Sequence, residues 1–341
     1  MYLKLIDKSP REIIKYYEKP FYVYLSLSNI CNANCVFCEV RTNKEKKCNI
    51  NVFSLIDELA SLGTQYIHFT GGGEPFVNDD IFEYLDYCTQ KKIKIILISN
   101  GLNIDEAKIK KMSNYNIVAI FFSIDSHIPE VHDALRRTQG LWNKVTSNIN
   151  LIKQYMPEVK IVLNHVLNKK NIDDFEKFIM MKKTFDFDYI NPIVIKDYDA
   201  LFFTEDQIEK YNNKLDYYNN LANSLGLEFL SDNIDFFNNK VSSLGDRYNN
   251  IDLKCLYPSF CSFVDAPTGF VYPCDCSIHR DRKIYKIGDL KEQPFKEIWN
   301  GEKRKNFRKK LINSELDCKT KCDEANCQFN RCLLKEKEKE L

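Results

Sequence analysis

The sequence predicts an α/β protein in which repeated βα units surround a parallel sheet and a cysteine-rich segment follows. Three observations predict it. Between about residues 20 and 195, short β-branched or aromatic runs alternate with longer amphipathic segments. Each crossover is long enough to return the chain to the same sheet edge, which makes the strands parallel. After Lys254 the composition turns to Cys, Pro and Gly, and the alternation stops.

The elements follow in order. Strands are expected at 21–27, 66–70, 93–99, 118–124, 160–166 and 189–195, each rich in Val, Ile, Phe or Tyr. Six such units are two short of a closed eight-stranded barrel. Helices are expected at 52–62, 81–91, 104–113, 141–155 and 172–183, where apolar residues recur every three or four positions. Residues 196–254 lack strand signals and are rich in Asn, Asp and Tyr, with one helix at 207–225 that would bridge two domains. A helical run spans 295–312, and residues 335–341 form a charged tail without core-forming residues. The expected division is therefore 1–195, 196–254, 255–334 and the disordered tail 335–341.

Composition excludes several classes. Forty-nine Lys and Arg face 48 Asp and Glu, so a net charge of +1 supplies no global field for nucleic acid or an acidic membrane. The basic run Lys303–Lys310 fits one wet face of a helix that turns Trp299, Phe307 and Leu311 inward, so no nucleic-acid partner is expected. Apolar stretches such as Ile117–Ile124 are too short to span a bilayer. The first twenty residues carry charge throughout and lack an apolar signal core, which points to a reducing cytoplasm. In that compartment thirteen cysteines read as metal ligands rather than disulfides.

Cys31, Cys35 and Cys38 form C-N-A-N-C-V-F-C directly after the first strand, where parallel α/β folds place their chemistry. A cubane iron–sulfur cluster takes one thiolate per iron, so three cysteines leave one iron open to an exogenous ligand. A zinc knot recruiting Cys48 is the alternative. The spacing, with Phe37 before the third cysteine, resembles the signature of the radical S-adenosylmethionine (radical SAM) superfamily. That resemblance implies a [4Fe–4S] cluster whose open iron is chelated by SAM, and cleavage of SAM to a 5'-deoxyadenosyl radical that abstracts hydrogen from substrate.

The resemblance continues along the chain. F-T-G-G-G-E-P at Phe69–Pro75 is similar to the family's element on the SAM amino group, with Gly72, Gly73 and Glu74 matching. I-S-N-G ends the third strand and carries Asn100. S-I-D-S ends the fourth, so Ser123 and Asp125 are matched to the SAM ribose region. H-D-A-L-R, at His132–Arg136, puts Arg136 on the SAM carboxylate. Ser99, Asn100 and Asp125 have a second reading as helix caps, and His132 as a structural hydrogen-bonding residue.

The last quarter resembles the SPASM extension of the same superfamily. Cys261, Gly269 and Cys274 are followed, after a gap, by Cys318, Cys322, Cys327 and Cys332. The resemblance implies a partial (β/α)6 TIM-like barrel with a C-terminal SPASM-like domain holding one or two auxiliary [4Fe–4S] clusters. By analogy Cys255, Cys261, Cys274 and Cys332 serve the inner cluster and Cys318, Cys322 and Cys327 the outer, with Cys276 replacing a missing last ligand. A single cluster with spare thiols, or a zinc ribbon, is the alternative. Asp275 follows Cys274 where sulfatase-maturing members have an aspartate proposed to take a substrate proton, so Asp275 is the candidate catalytic base; a turn residue is its bland reading.

These features imply a two-electron oxidation or an epimerisation at carbon. Cys276, Cys88 and Cys48 are thiol candidates for the latter, Cys88 reading also as a buried core residue. A low-potential donor such as flavodoxin or ferredoxin is the implied electron partner. Only 30 residues precede Cys31, which leaves no room for a precursor-peptide recognition domain and favours a small polar substrate such as a sugar, aminocyclitol or nucleoside. A peptide or protein maturase is the alternative, and a non-catalytic electron-transfer module the rival from another class.

Overall fold

The structure, a computed structural model, describes residues 5–38, 48–195, 199–230, 255–275 and 285–312. In chain order, α1 (Pro10–Ile13) and β1 (Tyr22–Ser26) precede α2 (Val52–Ser61), β2 (Tyr66–Thr70), α3 (Ile81–Gln90), β3 (Lys94–Ser99), α4 (Glu106–Met112) and β4 (Ile117–Ser123). Next come α5 (Pro129–Arg136), α6 (Leu141–Tyr155), β5 (Lys160–Leu167), α7 (Phe175–Met180) and β6 (Tyr189–Val194). The chain continues through α8 (Glu205–Asn213), α9 (Leu215–Ser224), β7 (Glu228–Phe229), β8 (Cys261–Asp265), β9 (Phe270–Tyr272), β10 (Gly288–Asp289), α10 (Phe295–Asn300) and α11 (Glu302–Ile312). All six expected strands form, each within one residue of its expected ends.

The differences lie in helices. The single helix expected over 207–225 breaks at Lys214, whose ψ of 2° leaves the helical well, giving α8 and α9. The run over 295–312 breaks at Gly301, where the backbone turns extended. The segment over 172–183 is α7 flanked by two 3-10 turns. Helix α5 is unexpected from spacing; Pro129 starts it and Arg137, at φ 49°, ends it in the left-handed region.

The described residues form two compact units, the boundary falling within β3 between Ile96 and Leu97. The first unit holds the described residues up to Asn29, those from 48 to Ile96, and those from 255 onward. Its strands run in the order β10-β9-β8-β1-β2. β1 lies parallel to β2 and to β8, with Tyr22 opposite both Tyr66 and Cys261 and Ser26 opposite both Thr70 and Asp265. β8 and β9 form an antiparallel hairpin, and β10 pairs antiparallel with β9. All five residues of β1 are buried, as befits a parallel strand covered on both faces.

The second unit comprises the described residues from Ile30 to 38 and from Leu97 to 230. Here β4, β5, β6 and β7 are parallel, so the ends of β4 and β5 open on the same edge. Among the described residues no helix is long and apolar enough to cross a membrane.

Candidate functional site

In the second unit the cysteine loop is tied to the end of α5 by backbone bonds. The Val36 amide donates to the Leu135 carbonyl at 2.8 Å and the Asn34 amide to the Arg136 carbonyl at 3.3 Å. This holds Cys35 buried while Cys31 and Cys38 stay exposed. Asn100, just past β3, donates from Nδ2 to the Cys31 sulfur at 3.5 Å and to Asn32 Oδ1 at 2.7 Å. Its own Oδ1 accepts from the Leu102 amide, so Asn100 shapes its turn as well as reaching the loop. Ser99 only holds the turn, accepting from the Gly101 amide.

Asp125 and Arg136 form the buried centre of this unit. Arg136 Nε donates to Asp125 Oδ2 at 2.8 Å, and its Nη1 lies 3.7 Å from the Cys35 sulfur. The guanidinium also sits 5.7 Å from the Phe37 ring centroid, within cation–π range. Asp125 is 0% exposed. Burial works to raise its pKa, but the charges of Arg136, then His132 and His165, and the Val166 amide outweigh it and hold the carboxyl below its ordinary value. Its amide donates to His132 Nδ1 and its carbonyl accepts from Asn171 Nδ2. The cap reading of Asp125 is thereby overturned: α5 starts after Ile128, and the Asp125 carboxylate faces Arg136 and the Val166 amide. Ser123 ends β4 opposite Asn164 and is half-buried.

Among the described residues no three His, Cys, Asp or Glu side chains converge on a single ion. Cys31, Cys35 and Cys38, spread along one loop with only Cys35 buried, suit a cluster in which each thiolate meets a different iron. Burial pushes the Cys35 thiol up while the Arg136 cation opposes it, a balance that bound iron would tip toward thiolate.

In the first unit, Gly72 donates its amide to Ser26 Oγ at 3.1 Å, fixing the glycine turn to the end of β1. A Cβ on Gly71 would lie 2.7 Å from the Gly73 carbonyl oxygen, so this turn closes on itself only with glycine. Glu74 is buried and caps the 3-10 turn Pro75–Val77 by accepting from the Phe76 amide.

The same unit gathers three of the C-terminal cysteines. The β8–β9 hairpin begins at Cys261 and returns to Cys274, its turn closed by Gly269 at φ 80°. Cys255, Cys261 and Cys274 are all buried. Burial, then the charges of Cys274, Asp275 and Cys255, push the Cys261 thiol well up, so these four groups are neighbours. Asp275 is half-buried directly after Cys274. Cys276, Cys318, Cys322, Cys327 and Cys332 lie outside the described residues.

The spare thiols differ. Cys88 is a core residue of α3. Cys48 is half-buried, donates to the Leu27 carbonyl at 3.4 Å and is pushed up to about 11 by burial. Sequence reasoning missed Arg304 and Arg308, which are buried although the basic run reads as a wet face; only Lys303, Lys305, Lys309 and Lys310 are exposed there. The spacing 304, 307, 308, 311 is the signal, because it puts both arginines on the stripe of Phe307 and Leu311.

Comparison with known proteins agrees with this arrangement. Residues 25–181 match the model of the radical SAM superfamily, and residues 255–328 match SPASM, an iron–sulfur cluster-binding domain. The chain is 28% identical over 318 residues to the cysteine-type anaerobic sulfatase-maturating enzyme of Clostridium novyi (strain NT), covering 86% of this chain and 82% of that one. It is 24% identical over 329 residues to the AdoMet-dependent heme synthase of Methanosarcina barkeri (strain Fusaro / DSM 804), covering 88% and 86%. Two solved structures share the fold. One is anSMEcpe with bound AdoMet, with a TM-score of 0.65, 20% identity and coverage of 94% and 95%. The other is Streptococcus suis SuiB bound to S-adenosylmethionine, with a TM-score of 0.66, 15% identity and coverage of 86% and 70%.

Proposed function

Because the chain belongs to the radical SAM superfamily, in its SPASM subgroup, we propose that this enzyme is a peptide or protein maturase that oxidises a carbon of a peptidyl side chain. Its [4Fe–4S] cluster, SAM and auxiliary [4Fe–4S] centre supply, when bound, a carbon radical for hydrogen abstraction and a sink for the electron left on the substrate. Cys31, Cys35 and Cys38 hold the first cluster, with Asn100 steadying the Cys31 end of the loop. Arg136, oriented by Asp125, offers its remaining guanidinium donors to the SAM carboxylate, and Phe37 packs beside it. Gly72, Gly73 and Glu74 take the SAM amino group, and Ser123 with Asp125 serves the ribose side, as the family resemblance implies. Cys255, Cys261 and Cys274 hold the auxiliary centre.

Asp275 takes the proton from the substrate group attached to the oxidised carbon. Its neighbours are the Cys261 and Cys274 thiols, so the proton is removed beside the centre that receives the electron. A low-potential donor such as flavodoxin or ferredoxin supplies the first electron.

The observation that carries the reading is likeness over 86% of the chain to a sulfatase-maturating enzyme, with Asp275 after a buried cysteine. Mycofactocin maturases, 27% identical over 178 residues, point the same way. The small polar substrate suggested by the short segment before Cys31 has less behind it.

The test is anaerobic incubation of reconstituted protein with SAM, a strong reductant and a cysteine-containing sulfatase-type peptide. The expected products are 5'-deoxyadenosine and a peptide lighter by one H2. Asp275→Asn should still form the nucleoside but oxidise peptide slower by roughly 10²-fold or more. Nucleoside formation with every such peptide left unchanged, and with no deuterium acquired from labelled peptide, would remove the maturase reading.

A further inference from the structure

Helix α11 reads E-K-R-K-N-F-R-K-K-L-I, and its buried stripe holds two arginines beside Phe307 and Leu311, with Arg304 2% exposed and Arg308 7%. Burying a cation is costly unless it is paired and hydrogen-bonded. Arg304 donates from Nη1 to the Trp299 carbonyl and from Nη2 to the Pro258 carbonyl, both at 2.9 Å. Its guanidinium carbon lies 3.4 Å from the Trp299 ring centroid. Arg308 donates from Nε to Ser259 Oγ at 3.0 Å and from Nη2 to the Tyr17 hydroxyl at 2.9 Å.

One carboxylate serves both among the described residues. Glu18 pairs with Arg304 at 3.5 Å and with Arg308, and its side chain is 46% exposed against 2% and 9% for the arginines. Water therefore screens the anion far more than the cations. Glu18 sits at φ 68°, a left-handed conformation unusual for a non-glycine residue. Its amide donates to the Ser259 carbonyl and its carbonyl accepts from Trp299 Nε1. All these contacts clamp Pro258–Ser259, two residues ahead of Cys261, and the charges that act on Arg304 include Cys261.

We propose that Arg304 and Arg308 are positioning residues that raise the reduction potential of the auxiliary centre bound by Cys261. This rests on reading Cys255, Cys261 and Cys274 as ligands of that centre. Four thiolates leave a cubane anionic, and one-electron reduction adds a further negative charge. A buried, incompletely compensated cation stabilises the reduced form more than the oxidised one. The effect makes the centre a better acceptor for the electron that hydrogen abstraction and proton loss leave on the substrate. A latch built only for mechanical hold has no need of two cations over one carboxylate.

The test is an EPR-monitored redox titration of the full chain carrying Cys31→Ala, Cys35→Ala and Cys38→Ala, so that only auxiliary iron remains. The signal followed is the one that Cys274→Ser removes. In this background Arg304→Gln is expected to lower the equilibrium constant for reduction about tenfold, a fall of about 59 mV for a one-electron couple. Arg304→Lys should restore most of that shift, and Glu18→Gln should move the potential the other way. If Arg304→Gln fails to load iron, Glu18→Gln, altered at a half-exposed carboxylate, supplies the test by its opposite sign. Potentials that stay put, or that shift the same way in Arg304→Gln and Glu18→Gln, overturn the tuning role alone. A background that binds no auxiliary iron overturns the ligand reading, and the inference with it.

Discussion

His132 and His165 lie beside a buried Asp125–Arg136 pair without themselves becoming cations. His132 accepts the Asp125 amide at Nδ1, which puts its proton on Nε2, and His165 Nδ1 donates to the Ile124 carbonyl. Burial, and then Arg136, bring His132 down to about 4; burial brings His165 to about 4 against the pull of Asp125. Both values fall below the ordinary 6.5, so between about pH 6.5 and pH 4 the unfolded chain binds more protons than the folded one. Stability is therefore complete above that window and falls as pH drops through it. At pH 5 each histidine should cost about 2 kcal/mol relative to neutral pH. Urea unfolding under argon at pH 7 and pH 5 checks this with His165→Phe, which keeps an aromatic ring against Phe178, 3.9 Å away in the native packing. The variant should lose about 2 kcal/mol less than wild type on acidification. Equal losses in both proteins would mean that His165 titrates alike folded and unfolded.

At the scale of elements, the turn from β3 into α4 shows how a motif position and a fold constraint coincide. Gly101 has φ 79°, and a Cβ there would meet Val145 Cγ2 at 2.8 Å. Gly101→Ala must strain the backbone and push α6 away, at a cost of roughly 2 kcal/mol. Because the shift moves Asn100 off Cys31, reconstituted iron should also be retained less well. A chelator challenge beside a denaturation curve reads both effects, and an unchanged denaturation midpoint would refute the strain. The strands were legible because each is a short β-branched or aromatic run in a sheet buried on both faces. Helix α5 was not, since two of its three buried residues are His132 and Arg136, and apolar spacing does not register them. Lys214 interrupts α8 and α9 without a glycine or proline to mark it, whereas Gly301 does mark the later break. The motif positions in the cysteine loop were legible as a contiguous pattern. Their supports were not: Ser26 under Gly72, and Asn171 with Val166 around Asp125, are contacts across long sequence separations that no local pattern encodes.

Over the whole molecule, iron binding and folding draw on the same thiols. Cys31 and Cys38 are exposed on a loop, so water can take over their contacts when iron is lost. Cys255, Cys261 and Cys274 are buried, and Cys261 opens the strand that pairs with β1. Any centre that binds the folded chain and not the unfolded one adds its binding free energy to stability. A centre at Cys261 ties β8 to the end of its hairpin as well, so its loss reaches the sheet and not only a loop. Anaerobic calorimetry of loaded protein should therefore find Cys261→Ser melting several degrees below Cys31→Ala, since 1 kcal/mol corresponds to roughly 2–4 °C in chains of this size class. After iron is stripped from both, the gap should close, because the remaining change is one sulfur for one oxygen. A gap that persists without iron would assign the difference to packing at Cys261, and would separate the stability of β8 from the metal it is proposed to hold.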